Sequence, residues 1–162
     1  MMSNSVAQIV LRNPIHILSF GFGSGLSPVA PGTMGTLVAI PIFLVLVTFS
    51  PVIYLLFVMI LFFIGCWASG RTAEALNVHD HPGIVIDEIV GYLITMVLVP
   101  VTWYWVILGF LLFRLFDIWK PWPISIVDKQ LKGGLGIMLD DGLAALYSLL
   151  SLHIVIWSVK FL

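Results

Sequence analysis

Charge is what this sequence has least of. Of its 162 residues only 9% are Asp, Glu, Lys or Arg, eight anionic and seven cationic, against roughly 25% in a typical soluble domain. So few charged groups cannot clothe a water-soluble chain of this size, which excludes an ordinary soluble domain. The net charge of −1 and the pI near 6.4 provide no electrostatic basis for a nucleic-acid partner. A single cysteine leaves no intramolecular disulfide and no cysteine-based metal cluster. Internal repeats, low-complexity tracts and linkers are missing too, so one domain over 1–162 is expected. The first charge is Arg12, followed by Asn13-Pro14 and not by a cleavable apolar stretch, so no signal peptide is expected.

Apolar surface takes the place of charge. Hydrophobic residues make up 60% of the chain and the mean hydropathy is +1.14. These values predict an all-α, polytopic membrane protein with about five helices, two helical hairpins followed by a C-terminal span. Residues 13–70 carry no charge, a run of 58, and 89–113 and 142–159 are also charge-free. Pro51 divides the first run into helices over about Thr36–Phe49 and Val52–Ser69. Pro100 and the aromatic stretch Trp103-Tyr104-Trp105 divide 84–118 into a hairpin, about Ile84–Leu98 and Trp103–Asp117. That hairpin returns the polar segments 70–83 and 114–141 to one face. The second of these carries Arg114, Lys120, Lys129 and Lys132, so that face should be cytoplasmic. Segment 121–139 is expected to lie on the membrane surface, with Ile124, Val127 and Leu131 on one helical side and Ser125, Asp128, Lys129 and Lys132 on another. Gly133-Gly134 should end it, and a last span should run over about Gly142–Val159.

All eight carboxylates lie between Arg71 and Asp141. Several fit a loop reading, but Asp87, Glu88 and Asp117 fall at or inside the ends of apolar runs, where they are costly unless paired, metal-bound or wet. Asp140-Asp141 precede the final run. Oxygen ligands from several segments suit Mg²⁺ better than zinc, and Arg114 and Lys120 could clamp a phosphate. His79-Asp80-His81 is a weaker metal candidate, placed at most in support of the site. The segment Gly21–Thr36 contains five glycines and two prolines. It is either a rigid entry to the first span or a phosphate cradle of backbone N–H groups at a helix N-terminus. No dinucleotide fingerprint, Walker loop, C-x₅-R loop or D-x-D pair occurs. A metal-assisted, carboxylate-based reaction remains, beside a non-enzymatic transporter or ion-binding protein whose carboxylates line a pathway.

The segments Gly23-Ser24-Gly25-Leu26-Ser27-Pro28, Ala30 to Thr36, His79-Asp80-His81, Asp87-Glu88, Arg114, Asp117 to Ile124, and Gly136-Ile137-Met138 before Asp140-Asp141 closely resemble the phosphatidylglycerophosphatase A family. The resemblance runs in order over roughly residues 14–148. It implies a bacterial inner-membrane, multi-pass, Mg²⁺-dependent phosphatase with its active site facing the cytoplasm. Its substrate would be phosphatidylglycerophosphate in the bilayer, and its products phosphatidylglycerol and phosphate. The expected catalytic residues are Asp87, Glu88, Asp117 and Asp141, and the expected metal ligands are these four with Asp140. Gly23, Ser24, Gly25, Ser27, Gly32, Thr33, Arg114 and Lys120 are expected to hold the phosphate, with His79, Asp80 and His81 supporting. Action on another lipid monoester such as phosphatidic acid stays open.

Overall fold

The computed structural model describes residues 5–160; the ends of the expected 1–162 domain, residues 1–4 and 161–162, lie outside them. Among the described residues the fold is all α, with no strand. The order is α1 (Val6–Leu11), α2 (Pro14–Ser19), a 3₁₀ segment (Gly21–Leu26), α3 (Pro31–Leu46), α4 (Pro51–Leu76), α5 (Ile86–Thr95), α6 (Trp103–Trp119), α7 (Ile124–Gln130) and α8 (Gly133–Val159).

Local chemistry sets these boundaries. Pro31 and Pro51 open α3 and α4, where a missing N–H costs nothing. The Ser50 hydroxyl accepts from the Ile53 N–H at 3.4 Å, and Asn77 ends α4 in the left-handed region at φ 54°. Three boundaries differ from the sequence expectation. The first span begins at Pro31, so Gly32 and Thr33 belong to a helix and not to the glycine-rich loop. Its successor runs past Ser69 to Leu76, because Gly70 and Arg71 do not interrupt an otherwise strong helical sequence. Gly133-Gly134 starts a helix where a stop was expected. α8 therefore carries Asp140 and Asp141 on rigid backbone, about 12 Å along its axis.

The short α5 is the centre of the bundle and packs on α3, α4, α6 and α8. Its direction follows from its contacts. Phe43 of α3 meets Tyr92 edge-on at 6.5 Å, while Gly32 lies against Glu88, so α3 and α5 run parallel. The Asp141 carboxylate sits beside Asp87, and His153 Nε2 donates to the Val97 carbonyl at 2.9 Å, so α8 runs parallel to α5 as well. The Tyr54 hydroxyl donates to the Leu93 carbonyl at 2.6 Å, and Gly65 faces Ile86, which makes α4 antiparallel. The Tyr92 hydroxyl reaches the Val106 carbonyl at 3.1 Å, and Phe113 covers Gly91, which makes α6 antiparallel too. The N-termini of α3, α5 and α8 and the C-termini of α4 and α6 thus collect at one end.

α4 and α8 are long and apolar enough to cross a membrane, which suits membrane association, and α3 is apolar but shorter. α4 has 26 residues, about 39 Å of helix, against a hydrocarbon core of about 30 Å. Its outward face exposes Val52, Leu56, Met59, Ile60, Phe63 and Trp67, so the helix is apolar all round. By contrast α5, with 10 residues, is about 15 Å long. The first arm of the expected hairpin is half the length of a span. The Leu93 carbonyl in its last turn meets the Tyr54 side chain and the Val97 carbonyl just beyond it meets His153, which satisfies backbone that would otherwise end inside an apolar bundle.

Candidate active site

The site lies where those helix ends meet. Asp87 and Glu88 occupy the first turn of α5, where the helix dipole favours negative charge. Asp141 comes from α8 and is 3% exposed. The three carboxylates each present an oxygen within 4.8 Å of the others. Asp87 Oδ1, Glu88 Oε2 and Asp141 Oδ2 are buried and have no hydrogen-bond partner, as is Asp140 Oδ1. Such a set of acceptors is costly unless a cation satisfies it. All the donors are hard oxygens, so the residues fit a divalent ion such as Mg²⁺.

Two side-chain cations border the cluster. Arg114 Nη1 pairs with Asp117 Oδ2 at 2.5 Å and with Glu88 Oε1 at 3.5 Å. Asp117 follows Arg114 by three residues on α6, a spacing that puts both on one face. The Arg114 Nε is buried without a partner and so remains an available donor. Lys120 Nζ bridges Asp140 Oδ2 at 2.5 Å and Asp128 Oδ1 at 2.6 Å. Burial alone would lower the Lys120 pKa, but the hydrogen bonds and charges of Asp128 and Asp140 outweigh it and raise the value above the ordinary lysine range. The ammonium is therefore charged at any physiological pH.

All of these but Asp128 line one cavity of about 260 Å³, bordered also by Ala30 just before α3, by Pro31 and Gly32 of α3, and by Asp80, His81 and Pro82 of the α4–α5 loop. Gly32 is required for the close approach of α3. A Cβ there would fall onto Glu88 Oε1 and within 3.0 Å of Arg114 Nη1.

The sequence-derived candidates divide accordingly. Asp87, Glu88, Asp117, Asp140, Asp141, Arg114, Lys120, Gly32, Asp80 and His81 all border the cavity. Within that group Asp117 and Asp140 are engaged by cations, while Asp87, Glu88 and Asp141 form the compact acidic cluster. His81 Nδ1 accepts from the Gly83 N–H at 3.0 Å, and its ring lies 5.5 Å from that of Phe20, so it shapes the loop. His79 lies apart, in a neighbouring hollow with Glu74, Asn77 and Gly133. Gly23, Ser24, Gly25, Ser27 and Thr33 do not border the cavity. The Ser24 hydroxyl donates to the Gly21 carbonyl at 2.8 Å and the Ser27 hydroxyl to the Val29 carbonyl at 2.9 Å. Gly25 packs against the Gly83 carbonyl, so this loop buttresses the α4–α5 loop. Sequence reasoning missed the pairing of Asp128 with Lys120. They are eight residues apart across Pro121 and Pro123, and no periodic signal links them.

Fold and site together define a class: an all-helical protein with membrane-length apolar helices and an acidic, cation-flanked cavity at one end of the bundle. Residues 17–156 match the family Phosphatidylglycerophosphatase A. The phosphatidylglycerophosphatase A of Escherichia coli (strain K12) is 49% identical over 144 residues, covering 88% of this chain and 83% of that protein. That of Haemophilus influenzae (strain ATCC 51907 / DSM 11121 / KW20 / Rd) is 42% identical over 161 residues, covering 98% and 96%. A Bacteroides thetaiotaomicron relative, provisionally named a phosphatidylinositol-3-phosphatase, is 40% identical over 151 residues, covering 88% and 94%. No solved structure matches the chain. The chain belongs to the phosphatidylglycerophosphatase A family, and its activity is that of a phosphatidylglycerophosphatase, a phosphomonoesterase acting on a lipid phosphate.

Proposed function

We propose that the cavity between α3, α5, α6 and α8 is the active site and that Asp87, Glu88 and Asp141 hold Mg²⁺ there. The observation that carries this reading is the trio of carboxylates within 4.8 Å, with unpartnered buried oxygens and two cations at its border. Bound Mg²⁺ would supply positive charge against the monoester dianion, lowering the repulsion that opposes a nucleophile. Arg114, held by Asp117 and Glu88, and Lys120, held by Asp140 and Asp128, bind the terminal phosphate oxygens. The first turn of α3 brings the positive end of a helix dipole to the same cavity. Hydrolysis transfers the terminal phosphoryl group of phosphatidylglycerophosphate to water and leaves phosphatidylglycerol and inorganic phosphate.

The same proposal includes a single multi-pass domain in the bacterial inner membrane, with the cavity on the cytoplasmic side. Supporting it, Arg12, Arg71, Arg114, Lys120, Lys129 and Lys132 belong to elements at the cavity end, and Lys160 alone closes the opposite end of α8. The lipid's acyl chains then remain in the bilayer while its phosphate enters the cavity.

A transport pathway is disfavoured by the polar groups below the site. The hydroxyls of Thr36, Thr95 and Ser148 are buried, and each donates to the carbonyl four residues earlier in its own helix. Each of these three hydroxyl protons is thus spent on its own helix.

The deciding measurement is phosphate release from phosphatidylglycerophosphate by purified protein in detergent, with chelator and after Mg²⁺ is restored. Phosphatidic acid and phosphatidylinositol 3-phosphate serve as competing substrates. Activity lost in chelator and recovered with Mg²⁺ is expected, with preference for phosphatidylglycerophosphate. Full activity in excess chelator would refute the metal reading.

A further inference from the structure

Lys120 occupies an unusual place for a lysine. It is the C-cap of α6 with φ 45° and ψ 57°, a left-handed conformation that glycine or asparagine usually supplies at a helix end. Its N–H closes the helix on the Phe116 carbonyl at 2.9 Å. A long side chain at such a position serves a purpose that glycine could not, and here it reaches the cavity.

The ammonium is held from two sides. Asp140, inside α8, has a side chain only 9% exposed, whereas Asp128 on α7 is 38% exposed and lies on the outer side. α7 is itself a fixed platform. Ile124 is fully buried, α7 packs on α8, and the Tyr147 hydroxyl of α8 donates to the Trp122 carbonyl just before α7 at 3.1 Å. Two anchors on separate elements fix the end of the flexible lysine stem where it borders the cavity. A lysine has three N–H donors, so these two bonds leave one for a phosphate oxygen. With Asp140 alone, the ammonium is free to fold inward onto that carboxylate, toward the acidic cluster and away from an incoming dianion.

We infer that Asp128 is a positioning residue for phosphate binding: it holds Lys120 Nζ at the cavity mouth from the outside, opposite Asp140. The role rests on the proposed reading of Lys120 as a phosphate ligand. The bland alternative is a surface ion pair, which contributes little by itself.

A double-mutant cycle with kcat and KM measured separately separates the two. Asp128→Ala should lower kcat/KM for phosphatidylglycerophosphate about tenfold, the effect of one well-oriented charged hydrogen bond. In a Lys120→Ala background the same change should add nothing, because the group it positions is gone. Asp128→Glu should recover a large part of the activity by restoring the anion. The melting temperatures of Asp128→Ala and the neighbouring Lys129→Ala should agree, and Lys129→Ala should keep wild-type kinetics. Unchanged or increased activity of Asp128→Ala, or losses that add in the double variant, would overturn the positioning role. Wild-type activity of Lys120→Ala would overturn the phosphate-ligand reading, and the positioning role with it.

Discussion

Replacing Gly32 with alanine tests how α3 is seated on the site. In an ordinary helical position the change removes backbone freedom from the unfolded chain and stabilises by about 0.5–1 kcal/mol. At Gly32 the added methyl would strike Glu88 Oε1 and come within 3.0 Å of both Glu88 Cδ and Arg114 Nη1. Overpacking of this kind costs about 1–3 kcal/mol. The two terms partly offset, leaving a net destabilisation of about 0–2.5 kcal/mol. Activity has no such offset. The least costly relief is to displace the Glu88 carboxylate or the Arg114 guanidinium, and misplacing a catalytic group by about 1 Å costs on the order of 100-fold. That factor is about 2.7 kcal/mol of transition-state stabilisation. Gly142→Ala supplies the comparison, since among the described residues outside its own helix a methyl there would meet Phe62 Cε2 at 3.7 Å, an ordinary contact. Initial rates of phosphate release from phosphatidylglycerophosphate in mixed micelles, with melting curves in the same detergent, read both effects. Gly32→Ala should lose about 100-fold in kcat/KM with a small change in Tm, and Gly142→Ala should keep its activity. Wild-type kinetics for Gly32→Ala would refute the close seating of α3 on Glu88 and Arg114.

Amide substitutions should separate the carboxylates by role. Asp87→Asn, Glu88→Gln and Asp141→Asn should each lower turnover by about 100-fold or more, with partial recovery at high Mg²⁺ where the residue serves only as a ligand; wild-type rates for all three would exclude the cluster. Arg114→Lys should cost about tenfold or more in kcat/KM, because a point charge cannot face Asp117, Glu88 and a phosphate together as a planar guanidinium does; equal kinetics would remove Arg114 from phosphate binding. Lys120→Ala should weaken substrate use far more than Lys129→Ala, and equal losses would count against the placement of Lys120 in the cavity. Since the Lys120 pKa is raised by its partners, its charge is retained up to and beyond the ordinary lysine value and lost only above that. Lys120→Arg should therefore leave any alkaline limb near neutral pH where it is in a rate profile.

The all-helical class was legible in composition alone, because 60% hydrophobic content with 9% charge leaves a chain little choice but helices that satisfy their own backbone in an apolar environment. The carboxylates that come to line the cavity were legible for a related reason. Asp87, Glu88, Asp117, Asp140 and Asp141 stand at the margins of apolar runs, where an unpaired charge is too costly to be incidental. Local rules were poorer guides to helix ends. Gly133-Gly134 reads as a helix stop, yet an added Cβ at Gly134 would strike the Cys66 carbonyl of α4; the pair is there because α8 crosses α4 backbone against backbone. The glycine-rich stretch likewise reads as a phosphate cradle. Its glycines instead admit Gly83 and Val85 of the α4–α5 loop, contacts that depend on a segment some sixty residues away.

What the sequence determined by itself is therefore the solvent each part of the chain prefers and the chemical types at the site, since both follow from side-chain transfer energies and helix periodicity. Which carboxylates form the compact acidic cluster and which are paired with side-chain cations was decided only in three dimensions. Asp117 and Asp141 look alike in sequence, but Arg114 one turn earlier takes the first, while α5 delivers Asp87 and Glu88 to the second. The place of α5 at the centre of the bundle was equally out of reach of sequence. Its C-terminal side is stabilised by Tyr54 and His153, donors from α4 and α8 that no local pattern brings near it, because pairing between distant segments is set by packing and not by neighbours in the chain.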